Sequence, residues 1–195
     1  MSKNRIEAFT DGVIAIIITI MVLELQPPKG GGFADLWALR FEFMIYFVSF
    51  LMLAVYWNNH HHLFQIVKKI DGAVLWSNIA FLFTASLLPF ATAWVGEHHV
   101  GAQAPELFYG FVILLADTAY YVLVQCLMRV NTNSNAVTSL LGRKYYKPLI
   151  TIGVNVVALG LGLLWAPLTI IADTLALLLW VIPERRIERH LNTKG

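Results

Sequence analysis

Residues 5–25 read RIEAFTDGVIAIIITIMVLEL. Polar groups crowd its start at Arg5, Glu7, Thr10 and Asp11, and the apolar run that follows is broken only by Thr19 and closed by Glu24. A bilayer-crossing helix takes about 20 mostly apolar residues, whereas barrel strands alternate over roughly ten. The stretch therefore predicts a membrane helix. At about 100° per residue, Arg5, Phe9, Gly12, Ile16, Thr19 and Leu23 share one side, with Ile20 beside them and Asp11 pointing away. That side can line something while Thr10 and Asp11 grip neighbouring helices or backbone. Periodicity by itself favours a plainer reading, in which Ile16, Ile20 and Leu23 are lipid or core contacts. Thr19 would then satisfy its hydroxyl on a carbonyl one turn back. A carboxylate at a membrane boundary must be hydrated or paired. Arg5 does not face Asp11, so the partner is expected on another helix or subunit.

The composition extends this reading to the whole chain. Of 195 residues, 58% are hydrophobic and 13% charged, against about 45–50% and 25% in soluble domains. The mean hydropathy is +0.66. These values exclude a soluble enzyme and a disordered chain, and a net charge of +2 is too small to drive nucleic-acid binding. A single cysteine, Cys126, excludes an intrachain disulfide framework and an all-cysteine metal site. What remains is an all-α integral membrane protein forming one unit over residues 1–195.

Apolar runs predict six spans, at 9–25, 41–58, 73–95, 107–128, 149–165 and 168–182. The last two are short and joined only by Ala166-Pro167, and one re-entrant hairpin is the alternative. The polar start lacks a small-residue cleavage pattern, so the first span is expected to be retained. With six spans, the termini and the second and fourth loops share a side. That side gathers Lys3, Arg5, Lys68, Lys69, Arg129, Arg143, Lys144, Lys147, Arg185, Arg186, Arg189 and Lys194. The other side keeps Lys29 and Arg40. Basic loops stay inside, so both termini, the loop at 129–148 and the tail at 183–195 are expected in the cytoplasm. Leu140, Leu141 and Tyr145 beside Arg143, Lys144 and Lys147 suggest a short interfacial helix in that loop. Gly160 and Gly162 lie in apolar sequence, where helix packing explains them better than nucleotide binding.

The second span ends in YWNNHHHLF at 56–64. Trp57 can share a face with His60 or His61, and one of these histidines is a candidate partner for Asp11. Metal binding by the three histidines is disfavoured, because consecutive helical residues point in different directions. Imidazole titrates near neutral pH, which leaves a proton-sensing role open. Asn78 can hydrogen-bond across helices, and Pro89 predicts a kink. Asp117 and Asp173 are intramembrane acids and so functional candidates, with interhelical pairing equally open.

Several of these residues fall into a pattern. Arg5-x-x-x-Phe9-Thr10-Asp11-Gly12-Val13, followed by AIIITIMVLEL, resembles the opening signature of the first helix in the transmembrane protein 175 family of lysosomal potassium channels and their prokaryotic relatives. Thr10 stands where that family usually has serine, and a hydroxyl is kept. Trp57-Asn58-Asn59-His60-His61 with Leu63-Phe64 resembles its second-helix motif. Lys69-Ile70-Asp71, Leu75-Trp76, Asn78 and Leu88-Pro89-Phe90 resemble its third-helix region. The likeness is dense from 5 to 95 and rests on span count beyond.

The resemblance implies a prokaryotic single-repeat subunit in a homotetramer in the cell membrane, with the first helix lining one central pore. Ile16 would form the hydrophobic constriction, Thr19 and Leu23 further layers, and Ile20 would sit adjacent. Arg5, Phe9, Thr10, Asp11, Trp57, His60 or His61, and Asn78 would hold the pore helix. Potassium would be the permeant ion, with no cofactor, no metal site and no catalysis. No TVGYG-like segment is present, so gating would fall to dewetting at the hydrophobic rings. The competing expectations are a proton-coupled transporter using Asp117 or Asp173, and a small membrane enzyme or scaffold.

Overall fold

The computed structural model describes residues 2–98, 100–132, 137 and 146–181. Among them the chain is helical throughout: α1 (Lys3–Leu23), α2 (Phe33–Ala38), α3 (Arg40–Ile66), α4 (Gly72–Ala85), α5 (Leu88–His98), α6 (Gln103–Val130), α7 (Lys147–Gly162) and α8 (Pro167–Val181). The proposed interfacial helix at Leu140–Tyr145 and the tail at 183–195 lie outside the described residues.

Four helical stretches are long and apolar enough to cross a membrane: 3–23, 40–66, 72–98 and 103–130. The expectation of six such helices is met only this far, because α7 and α8 span 16 and 15 residues. At about 1.5 Å per residue each is shorter than a hydrocarbon core of about 30 Å. The chain is a multi-span all-α membrane protein.

The third expected span is broken into α4 and α5. Pro89 has no N–H to give to the Ala85 carbonyl, and the turn at Ser86–Leu87 tightens, with Leu87 N bonding Thr84 O at 3.2 Å. The hydroxyls of Thr84 and Ser86 bond back to Phe81 and Phe83 carbonyls. α3 runs well past Asn58, because Asn59, His60 and His61 find partners along its own surface and on neighbouring helices. Its last turn is capped by a cation: Lys3 Nζ donates to Phe64 O at 2.7 Å, where the helix dipole favours positive charge.

α6 is the central post, packed against α4, α5, α7 and α8, while α1 packs on α3, α4 and α5. Lipid is as apolar as leucine, so close packing and interhelical hydrogen bonds hold such bundles. The packing depends on small residues. A side chain on Gly110 would collide with the Thr169 methyl, and one on Gly162 with the Thr169 hydroxyl. Glycine at both positions lets α6, α7 and α8 close around Thr169, which bears out the packing reading of Gly162. Gly160 has open space beside it.

Polar ties cross the bundle at three depths. Ser49 Oγ lies 3.0 Å from Tyr109 OH and accepts from Thr92 Oγ1 at 2.8 Å. Asp117 accepts from Tyr56 OH at 2.6 Å and from Asn155 Nδ2 at 2.7 Å. At the 67–71 turn, Asn131 Oδ1 accepts from Lys68 N and Lys69 N, and its Nδ2 donates to Lys69 O and Leu127 O.

Candidate functional site

The first helix has two unlike faces. Ile6, Thr10, Ile14, Ile17 and Met21 recur at helical spacing and are buried in the subunit. The opposite face carries Phe9 at 54% exposure, Ile16 at 58%, Ile20 at 40% and Leu23 at 75%. Gly12 and Thr19 are exposed among them. Sequence periodicity placed Phe9, Gly12, Ile16, Thr19 and Leu23 on one side, and in the fold that side is uncovered by the rest of the chain. The Thr19 hydroxyl donates to Ile16 O at 2.8 Å, the one-turn-back bond expected of a threonine in an apolar helix. A residual acceptor capacity on Thr19 Oγ1 still faces outward.

Two polar links, one buried and one exposed, tie α1 to its neighbours. In the first, Asn78 on α4 stands between α1 and α3. Its Nδ2 donates to Thr10 Oγ1 at 2.9 Å, and its Oδ1 lies 2.9 Å from His60 Nε2. That geometry makes His60 Nε2 the donor. All three side chains are buried. His60 also stacks on Phe64, with ring centroids 4.3 Å apart. Such a chain is satisfied at each member, which makes it specific as well as stabilising.

In the second link, Trp57 Nε1 on α3 donates to Asp11 Oδ1 at 2.8 Å. The partner of Asp11 is on another helix, as expected, but it is the indole and not a histidine. His60 is turned inward to Asn78. His61 instead stacks under Trp57, with centroids 5.7 Å apart and planes 14° from parallel, and lies 2.7 Å from Gln65 Nε2. The (i, i+4) pairing of Trp57 and His61 thus orients the indole toward Asp11.

Thr10, Asp11, Trp57, His60, His61 and Asn78 therefore form one connected region joining α1, α3 and α4. Arg5 and Phe9 stay outside it: both are exposed, and the Arg5 guanidinium makes no hydrogen bond among the described residues. Sequence reasoning missed Lys3, whose ammonium pins the start of α1 to the end of α3. Its place two positions before Arg5 gave no signal.

Asp71 organises the entrance to α4. Its Oδ1 accepts from Val74 N at 2.9 Å as an N-cap, and its Oδ2 accepts from Arg129 at 2.7 Å. The Val74 N–H, with help from the Arg129 guanidinium, holds the Asp71 carboxyl below its ordinary value. Asp117 and Asp173 are both buried. Asp117 is paired to Tyr56 and Asn155, whereas Asp173 has no hydrogen-bond partner among the described residues.

These features coincide with what comparison with known proteins finds. The family model described as endosomal/lysosomal potassium channel TMEM175 matches residues 5–89, which contain both polar links to α1. A potassium channel of Chryseobacterium sp. (strain P1-3) is 41% identical over 191 residues, covering 98% of each chain. A potassium channel of Streptomyces collinus is 38% identical over 100 residues, covering 49% of this chain and 48% of that one. The mouse endosomal/lysosomal proton channel TMEM175 is 33% identical over 94 residues, 46% of this chain and 19% of its own length. The crystal structure of a lysosomal potassium-selective channel TMEM175 homolog from Chamaesiphon minutus superposes with a TM-score of 0.72 at 24% identity, covering 93% of this chain and 97% of that one. With a near-full-length relative at that identity and the same fold, the chain belongs to the TMEM175 family.

Proposed function

We propose that this chain is one subunit of a passive, potassium-conducting cation channel, and that four copies surround a pore lined by α1. The observation that carries the proposal is the two-sided character of α1. Its inner face is fixed to α3 and α4 by hydrogen bonds, while Phe9, Ile16, Ile20 and Leu23 are left uncovered. A helix held that firmly on one side presents its other side in a fixed register, as a pore wall requires. The near-full-length relative named as a potassium channel supports potassium as the permeant ion, and ion conduction rather than catalysis as the activity.

In this reading Ile16 forms the narrow ring, with Ile20 adjacent and Thr19 and Leu23 adding layers. From Ile16 to Leu23 is about 10 Å along the axis at about 1.5 Å per residue. Rings of that depth can close by dewetting and open by a small widening. Selectivity then follows from pore width and local field, with the Thr19 oxygen as one polar layer. Thr10, Asp11, Trp57, His60, His61 and Asn78 set the position of α1 and do not touch the ion, and Arg5 and Phe9, exposed in the single subunit, join that support in the assembled channel. α7 and α8 complete a six-span unit, with both termini, the 129–148 loop and the 183–195 tail on the cytoplasmic side of the cell membrane.

The experiment is ion flux from liposomes holding the purified protein under opposed potassium and sodium gradients. A conductive current with a potassium-favouring reversal potential is expected. Saturable uptake that needs a proton gradient, with no conductive current, would contradict the channel and point to a carrier.

A further inference from the structure

A small, mostly apolar-walled cavity onto which two buried acids open sits inside the subunit, away from α1. It lies between α3, α6, α7 and α8, has a volume of about 20 Å³, and is lined in part by Tyr56, Asn59, Asp117, Asn155, Asp173 and Trp180. That is room for about one water or one small ion. Three acceptor oxygens on its wall lack a donor among the described residues. Asp117 uses both oxygens, on Tyr56 OH and Asn155 Nδ2. Asp173 is 1% exposed, and neither of its carboxylate oxygens has a hydrogen-bond partner among the described residues. Asn155, also 1% exposed, leaves its Oδ1 unpaired beside them. The described lining contains no lysine, arginine or histidine. Trp180 spends its N–H on Thr151 Oγ1 at 2.8 Å.

Buried acceptors without donors call for a guest, and a carboxylate at membrane depth calls for a positive one. A neutral water leaves the charge in place. A set made only of oxygens suits a hard cation. Hydrated divalent ions keep several waters, for which the cavity has no room. Few oxygens around one water-sized space suit sodium better than the larger potassium. We propose that the cavity between Asp117, Asn155 and Asp173 binds one sodium-sized monovalent cation within each subunit. The Asp173 carboxylate and Asn155 Oδ1 supply its direct ligands. Asp117, steadied by Tyr56 and Asn155, adds its free lone pairs. The ion ties α8 to α6 and α7, and half-buried Asn59 stands on the α3 side of the cavity. This site is independent of whether α1 lines a pore.

The test uses the full chain purified in detergent at constant ionic strength, with choline replaced stepwise by sodium or potassium. The melting temperature is expected to rise by a few degrees and saturate with sodium, as ligand linkage requires. The rise should be smaller with potassium and absent in Asp173→Asn. Binding of radioactive sodium to the wild-type chain is the second measurement, and it decides the matter if that variant does not fold. One sodium per chain is expected. No bound sodium, or about one per four chains as an ion on a shared axis would give, overturns the proposal. So does a melting temperature that responds equally to sodium and choline, or one that rises only on acidification, because the acids would then carry their own protons.

Discussion

Trp57 Nε1 donates to Asp11 Oδ1 at 2.8 Å across 46 positions of sequence. The bond fixes the rotation of α1 about its own axis, because Asp11 lies away from the uncovered apolar face. An exposed charged hydrogen bond contributes less than the roughly 1.5–3 kcal/mol typical of charge-assisted pairs. Trp57→Phe keeps the His61 stack and removes the donor. It is expected to lower subunit or oligomer stability by about 0.5–1.5 kcal/mol, read by thermal melting and size-exclusion chromatography. Asp11→Ala should likewise weaken assembly or alter gating. Oligomers and currents of Asp11→Ala that match wild type would remove Asp11 from the support of the helix.

The Thr10–Asn78–His60 chain is buried throughout, so breaking it leaves partners unsatisfied. Hydrogen bonds between membrane helices average about 0.6 kcal/mol and reach about 1.7. Asn78→Leu breaks two and is expected to cost about 1–3 kcal/mol by the same scale. Thr10→Val should cost less. In a double-mutant cycle the two losses should be smaller together than their sum. Simple additivity would mean that Asn78 and Thr10 do not act through each other.

Gly110 on α6 packs directly against Thr169 on α8. Gly110→Ala drives a methyl into Thr169 and is expected to cost about 1–3 kcal/mol, the usual range for overpacking. Thr169→Ala in the same chain should restore most of the loss. Rescue is the diagnostic observation, since a general effect on helix propensity would favour alanine without any second change.

Asp71 makes a pH prediction. Its folded-state value lies below the ordinary 3.8, so its contribution is full above that value and fades as pH falls through the lower folded one. Asp71→Asn should therefore melt below wild type at neutral pH, and the gap should close in strong acid. High salt should shrink only the part owed to the exposed Arg129 pair, because the Val74 cap is a backbone hydrogen bond.

How much of this was legible in the sequence follows from what each feature depends on. The two faces of α1, the turn-back bond of Thr19, the Trp57–His61 pairing and the break before Pro89 all arise from local helical spacing or from the chemistry of one residue. The choice of Trp57 over a histidine as partner of Asp11 does not, because it depends on how α3 is rotated against α1. Asp117 and Asp173 look alike in sequence, yet among the described residues only the first meets donors, since Tyr56 and Asn155 come from helices that the sequence cannot align. The extent of α3 to Ile66 was hidden by its polar end, whose side chains find partners only in the folded bundle. The short helix at Phe33–Ala38 was missed as well. Its N-terminal turn is closed by Gly32 N donating to Asp35, a local signal masked by the preceding glycines.

If α1 lines the pore, its uncovered face meets ions and not lipid. Ile16 is 58% exposed in the subunit and Val157 on α7 is 60% exposed, so asparagine at each position makes a matched pair. The measurement is single-channel current and reversal potential in planar bilayers for wild type, Ile16→Asn and Val157→Asn. Ile16→Asn is expected to carry a larger or less potassium-selective current, and Val157→Asn to behave as wild type. An Ile16→Asn current indistinguishable from wild type would contradict a pore-lining α1.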